Sequence, residues 1–254
     1  MSNPTERFSS RVDNYIKYRP GYPPEVINLL NSECGLTKDS IIADIGSGTG
    51  KLAELFLENG NRVFGVEPNE AMRQAGELLL KDYKHFVSIN GSAEDTTLPE
   101  SSIDFVTAGQ AFHWFDVPKA KAECKRILKP GGWTILVWND RKLDSTPFLD
   151  DYEQMMLDFG TDYSEVRHDR AVPAIEEFFG PQPAMLRTFP NQQVFDLEGL
   201  KGRVFSSSYT PEPNQPSFAP MVARLEEIFA RHQDQGLVTF DYDTKVYFSK
   251  LNDG

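Results

Sequence analysis

Between residues 41 and 56 the chain reads as a buried strand, a glycine-rich turn and a helix start, and few folds accommodate that succession. The strand follows from the apolar run Ile41, Ile42 and Ala43, with Ile45 beyond Asp44. In the turn, Gly46, Gly48 and Gly50 alternate with Ser47 and Thr49. The backbone there can take positive φ and approach a ligand with no Cβ in the way. The helix entered at Lys51 offers unpaired N–H groups and a partial positive end to whatever sits against it. Asp44, at the carboxyl end of the strand, can accept hydrogen bonds from a cationic or hydroxyl-bearing group. The whole is a seat for a nucleotide-like ligand.

Spacing separates the cofactor classes. A dinucleotide turn wants G-x-G-x-x-G, whose third glycine lets helix and strand pack closely. Here the pattern is G-x-G-x-G, and Lys51 stands where that glycine would fall. No G-K-S/T follows, which excludes a phosphate-binding P-loop. A second strand-like run, residues 62–66, leads to Glu67. That is where a ribose-binding carboxylate is expected, roughly 20 residues past the turn.

A length of 254 residues suits one large α/β domain, or a core with a small subdomain. The polar start Met-Ser-Asn-Pro-Thr-Glu-Arg has no signal-peptide pattern, and no later stretch is apolar enough to span a bilayer. A cytoplasmic protein without membrane partners is expected. Thirty-eight acidic against twenty-six basic residues leave a formal charge of −12, a surface that repels nucleic acid at long range. Nucleic acid is therefore not an expected partner. Cys34 and Cys124 form no disulfide framework, and His85, His113, His168 and His232 are scattered, so no metal is expected.

From residue 40 onward strand and helix signals alternate: strands at 41–45, 63–66, 86–89, 105–108 and 133–138, helices up to 59, at 69–81 and at 118–128. Such units build a parallel sheet with helices on both faces, and ligands sit outside the carboxyl ends of its strands. Asp44, Glu67, Ser92 and Gln110 all fall there. Beyond residue 139 the pattern changes, with helices expected at 147–159, 174–179, 198–207 and 218–232 and strands at 185–189 and 237–251. The last of these reads as part of an antiparallel pair completing the sheet. Four segments result: an N-terminal helical cap (1–37), the core (38–140), a helical insert or lid over the ligand mouth (141–184), and C-terminal helices and strands (185–254).

Five segments in order resemble the motif series of the class I S-adenosylmethionine-dependent methyltransferases. They are Ala43-Asp44-Ile45-Gly46-Ser47-Gly48-Thr49-Gly50, Gly65-Val66-Glu67-Pro68-Asn69, Gly91-Ser92-Ala93-Glu94-Asp95, residues 103–108, and Leu128-Lys129-Pro130-Gly131-Gly132. The likeness covers about residues 38 to 140. Gly109-Gln110-Ala111-Phe112-His113-Trp114-Phe115 is similar to a narrower type 11 branch that includes trans-aconitate methyltransferase-like enzymes. Phe8-Ser9-Ser10-Arg11-Val12 and Tyr18-Arg19-Pro20-Gly21-Tyr22-Pro23 belong to the same likeness. The resemblance implies a Rossmann-like α/β fold: a doubly wound, mostly parallel seven-stranded sheet with an antiparallel C-terminal strand and a small helical insert. It implies S-adenosylmethionine as cofactor and methyl transfer to a small-molecule acceptor, a carboxylic acid among the candidates.

The resemblance also implies roles. Gly46, Ser47 and Gly48 would pass beneath the methionine moiety, Asp44 would hold its ammonium, and Glu67, ahead of Pro68, would accept from the ribose hydroxyls. Adenine would be read by backbone at Ala93 and Glu94, with Ser92 assisting where many relatives carry an aspartate. Met72 either stacks on adenine or fills the core. Gln110, Ala111 and Phe112 fall where the transferable methyl should point, and aromatic faces attract a sulfonium by about 0.5–2 kcal/mol. His113 and Gln110 are the catalytic candidates, His113 being either a general base or a hydrogen-bonded wall residue. Tyr15, Tyr18 and Arg19 form either a surface helix or a segment folded over the cofactor. In the second case Arg19 pairs a carboxylate of cofactor or substrate, a task for which Arg141 is the weaker candidate.

Two other readings share these features. A nicotinamide-dependent oxidoreductase has the strand, turn and Glu67, but conflicts with Lys51 and lacks a Tyr-x-x-x-Lys set. A non-catalytic cofactor-binding protein of the same fold would keep the seat, but would have no need of the Gln110 to Phe115 segment.

Overall fold

The computed structural model describes residues 12–163, 172–180 and 184–251; Phe8 to Arg11 and His168 lie outside them. Seven strands form one sheet: β1 (Ile41–Ile45), β2 (Arg62–Val66), β3 (Phe86–Ile89), β4 (Ile103–Gly109), β5 (Leu128–Arg141), β6 (Met185–Phe195) and β7 (Val238–Ser249). Their spatial order is β3-β2-β1-β4-β5-β7-β6. β1 to β5 are parallel, and β7 runs antiparallel between β5 and β6. The order reverses between β1 and β4, which opens a crevice at their carboxyl ends.

The expected elements are present, with adjusted ends. α2 (Glu25–Cys34), α3 (Lys51–Glu58), α4 (Glu70–Leu79) and α5 (Val117–Ile127) follow α1 (Val12–Tyr18), and α6 (Pro147–Phe159), α7 (Val172–Phe179), α8 (Leu197–Phe205) and α9 (Phe218–His232) complete the set. Side-chain caps mark several starts: Asn69 accepts from Met72 N–H, Asp116 from Lys119, Thr146 from Leu149 and Asp196 from Gly199. β6 is longer than the apolar run 185–189 suggested. It continues through Pro190 to Phe195, paired on one side only, where a missing N–H is harmless.

Alternation along the strands builds two cores. Ile42, Phe105, Ile135 and Val137 face α2 and α3, meeting Leu30, Leu52 and Phe56. Ala43, Ile45, Val106 and Ala108 face the other way, toward Ala120, Cys124 and Ile127 of α5. A third core joins Phe240 and Tyr242, at the far end of β7, to α6, α8 and α9. The 141–184 stretch divides between them: α6 packs on α9, whereas α7 lies on α5, its Phe178 ring 5.1 Å from Phe112.

α1 bridges these layers. Tyr18 packs so closely on α8 that a Cβ at Gly202 would lie 2.0 Å from its ring, and Gln193 Nε2 donates to the Tyr18 carbonyl. On the other side Lys51 Nζ donates to the Ile16 carbonyl. α1 is thereby held across the start of α3.

The loop after β3 is pinned to α5 by Glu123, which is 8% exposed. Its carboxylate accepts from Thr96 N–H at 2.9 Å and from Arg126 at 2.7 Å. Hydrogen bonds from Arg126 and Thr96 outweigh burial and hold the Glu123 carboxyl at about 2. Its stabilising contribution is therefore present above the unfolded carboxyl range, about 4.3, and fades as pH falls toward 2. Glu123→Ala is expected to lower unfolding free energy by about 2–3 kcal/mol at pH 7, measured by urea denaturation. Glu123→Gln should lose its deficit relative to wild type as pH falls from about 4 to about 2.

Candidate functional site

The turn after β1 takes positive φ at all three glycines: +66° at Gly46, +57° at Gly48 and +87° at Gly50. Sterics reinforce the torsions. A Cβ at Gly46 would sit 2.6 Å from Ala111 Cβ, so only glycine lets the loops after β1 and β4 touch. Gly46 and Ser47 both donate to the Val66 carbonyl, which ties the turn to the end of β2.

Two connected spaces open here. The larger, about 1040 Å3 and open to solvent, is bordered by Gly46, Gly48, Glu67, Pro68 and Met72 on one side and by Ser92, Ala93, Glu94, Gln110 and Ala111 on the other. The smaller, about 440 Å3, is bordered by Arg19, Asp44, Ser47, Thr49 and Lys51. Tyr15, Gly46, Gly109 and Gln110 border both. Thirteen of the sequence candidates thus converge: Arg19, Asp44, Gly46, Ser47, Gly48, Glu67, Pro68, Met72, Ser92, Ala93, Glu94, Gln110 and Ala111.

Three candidates lie elsewhere. Tyr18 packs on α8 and faces Phe195, and Tyr15, one helical turn earlier, borders the crevice in its place. Phe112, 1% exposed, is in the core against Phe178 and Trp138. His113 is exposed, its ring 4.5 Å from that of Trp114, and does not line the crevice. The one-turn helix Phe112–Trp114 rotates successive side chains apart, so the rings of Trp114 and Phe115 reach the crevice instead. Arg141 is spoken for as well: it pairs with Glu153, donates to the Tyr163 hydroxyl at 2.8 Å and stacks over Tyr152.

The acidic residues are strongly perturbed. Glu67 accepts from Gly48 N–H at 2.9 Å and Asn69 N–H at 2.8 Å; burial raises its carboxyl while those amides oppose the rise. Asp44 is fully buried, and its Oδ1 accepts from the Thr107 hydroxyl at 3.0 Å. Its Oδ2 is buried with no hydrogen-bond partner. Burial pushes the Asp44 carboxyl to about 7, against the pull of Thr107 and the Ala53 amide. In the same recess Arg19 Nε and Thr49 Oγ1 are also buried without partners. Such orphaned buried groups are rare in folded proteins, and three of them border this one recess.

Gln110 completes the site from β4. It adopts φ +59°, a strained value for a residue with a side chain, held by Nε2 donating to the Asn139 carbonyl at 3.0 Å. Asn69 and Tyr22 lie within the quoted segments without a role given to them, Asn69 being the cap of α4 and Tyr22 bordering the recess, whereas Asn139, also at the recess, carries no local signal. Burial holds both thiols, Cys34 and Cys124, at about 12, so neither is reactive at neutral pH. Among the described residues no group of three His, Cys, Asp or Glu could hold a metal, and no helix is long and apolar enough to cross a membrane.

Comparison with known proteins places the chain in a family. Residues 43–136 match the model of a methyltransferase domain. A methyltransferase-like protein of Schizosaccharomyces pombe is 31% identical over 255 residues, covering 96% of this chain and 94% of its own length. A methyltransferase of Mycobacterium tuberculosis is 38% identical over 134 residues, 53% of this chain; the match spans about half, 52%, of that relative. A solved structure from Anaeromyxobacter dehalogenans, described as a type II methyltransferase, shares the fold at TM-score 0.63 and 17% identity, covering 92% of this chain and 98% of that one. Another, from an antibiotic biosynthesis pathway of Anabaena variabilis, does so at TM-score 0.61 and 21% identity, with 91% and 98% covered.

The raised Asp44 carboxyl gives a signed expectation. Its folded pKa of about 7 lies above the unfolded value, so the folded state holds the extra proton and stability falls as pH rises from about 4 to about 7. Asp44→Asn should therefore raise Tm relative to wild type at pH 8, with the gap narrowing below pH 7 and closing by about pH 4. Differential scanning calorimetry across that range checks it; a constant gap would contradict the assignment.

Proposed function

The chain belongs to the class I S-adenosylmethionine-dependent methyltransferases, and on that footing we propose that it transfers a methyl group from S-adenosylmethionine to a small-molecule acceptor. The observation that carries the reading is the pairing of unmet needs in one recess. An unpartnered carboxylate oxygen on Asp44 and an unpartnered guanidinium nitrogen on Arg19 border the same space. An α-amino acid end satisfies both, its ammonium at Asp44 and its carboxylate at Arg19. Gly46 to Gly48 leave room for the chain between, and Glu67 retains acceptor capacity for a ribose diol. The adenine would lie between Pro68 and Met72 on one side and the Ser92–Glu94 turn on the other, where Ser92 Oγ accepts from the Glu94 and Asp95 amides.

When bound, S-adenosylmethionine supplies a methyl group already activated by its sulfonium. The protein then has mainly to align donor and acceptor for in-line displacement, and positioning of this kind can lower a barrier by roughly 7–11 kcal/mol. Gln110, fixed by Asn139, orients groups at the junction of the two spaces, and Trp114 and Phe115 provide aromatic walls that favour a cation and exclude water. A carboxylic acid is the favoured acceptor class, because it arrives ionised and needs no general base. His113 outside the lining fits that chemistry, and Tyr15 of α1 borders one side of the crevice.

Calorimetry with S-adenosylhomocysteine tests the reading. Asp44→Ala and Glu67→Ala are each expected to weaken its binding at least roughly tenfold, about 1.4 kcal/mol, and NADH should not bind. His113→Ala should leave turnover of a small-acid panel within about threefold, since base catalysis is worth roughly 100-fold or more. Binding of NADH in place of S-adenosylhomocysteine would overturn the proposal.

A further inference from the structure

Thr107 is the neighbour of Asp44 across the sheet, its partner in the parallel pairing of β1 with β4. It is fully buried, and its hydroxyl donates to Asp44 Oδ1 at 3.0 Å. The positions around it on the strand are buried and apolar, Phe105 and Val106 before it and Ala108 after it. A valine of the same shape would suit that setting, so the hydroxyl is explained only by the acceptor it meets. With Oδ1 engaged inside the sheet, Oδ2 is the oxygen left to the recess, and it has no partner.

The groups that face Asp44 leave it without a counter-charge. Arg19 and Lys51 border the same recess, but Arg19 Nη2 donates to the Ser206 carbonyl and Lys51 Nζ to the Ile16 carbonyl. Tyr15 and Tyr22 enter from the N-terminal segment as neutral phenols, both raised by burial. Glu67, after β2, carries the same sign of charge and disfavours a second carboxylate beside it. Thr107 on β4 and Asn139 on β5 are uncharged. A buried carboxyl group with no cation to pair with takes up a proton. Burial accordingly carries Asp44 to about 7, with the Thr107 hydrogen bond pulling the other way. The proton then sits on Oδ2, the atom that an incoming ammonium needs.

We propose that Thr107 is a positioning residue that turns Asp44 Oδ2 toward the recess, and that cofactor uptake expels the proton held on that oxygen. This rests on the methyl-transfer reading and adds to it a proton linkage: S-adenosylmethionine and S-adenosylhomocysteine each bind with release of one proton to solvent. The balance is the same whichever partner gives the proton up, because a carboxylate–ammonium pair and a carboxylic acid–amine pair hold equal numbers of protons. Thr107 eases the exchange, since its hydroxyl favours the ionised carboxyl.

The test is calorimetry on the full chain with S-adenosylhomocysteine, run in buffers of different ionisation enthalpy. Proton release should approach one per site at pH 6 and fall to about a tenth at pH 8, with affinity about tenfold weaker at pH 6 than at pH 8. In Asp44→Asn, which has no carboxyl to titrate, both the release and the slope should vanish, whereas a titration of Glu67 would survive. Thr107→Val should move the midpoint of the affinity profile up by roughly one pH unit, and Thr107→Ser should restore it. At pH 9, where both proteins have shed the proton, Thr107→Val and wild type should agree within about threefold, which a disrupted strand would not allow. Failure of wild type to bind S-adenosylhomocysteine at any pH would overturn both this inference and the methyl-transfer reading. Binding without proton release at pH 6, release undiminished in Asp44→Asn, or a midpoint unmoved by Thr107→Val would overturn this inference alone.

Discussion

Contact between two backbone segments governs the site. The turn after β1 comes so near the loop after β4 that no side chain fits between Gly46 and Ala111, and its amides meanwhile bond to the end of β2. Three adjacent strands are thus gathered at one point, where the strand order reverses. The crevice on one side and the recess on the other exist because that junction is narrow. Positive φ at three alternating positions is what makes the narrowness possible, and a chain of ordinary residues would be strained at each.

Charge is sorted around this junction. The strand ends supply carboxylates, Asp44 and Glu67, both held above their ordinary range by burial. The opposing guanidinium comes from outside the central sheet, on Arg19 just after α1. Asp44 is not cross-paired with Arg19 inside the protein, and each keeps an unmet atom. Leaving both unmet in the interior costs folding energy. The third core, built on the overlong β7, holds α8 in place against that electrostatic cost.

Much of this was legible in the chain. The alternation of apolar runs with helical signals gave the five parallel strands, and the turn glycines with Asp44 and Glu67 lie at the crevice between them. Errors cluster where local pattern says nothing about direction. Gln110 to Phe115 was recognisable as a segment beside the site, yet a one-turn helix decides which of its rings face inward, and it turns Phe112 to the core and His113 outward. Tyr15 and Tyr18 are neighbours in sequence with equal claims, and only the packing of α1 on Gly202 of α8 separates them. Arg141 had the right chemistry but meets Glu153 before any ligand can.

The sequence by itself determined the strand, glycine turn and helix entry that form one wall of the crevice, because steric permission at glycine and strand periodicity are local properties, expressed within a few residues. It determined the family for the same reason. Tertiary structure alone decided which charges are left unanswered. Asp44 and Arg19 stand apart in the chain, and whether each finds a counter-ion depends on helices that pack from opposite ends of the sequence. Burial, which converts an unanswered charge into a demand for a ligand, is a property of the assembled layers and of no segment within them.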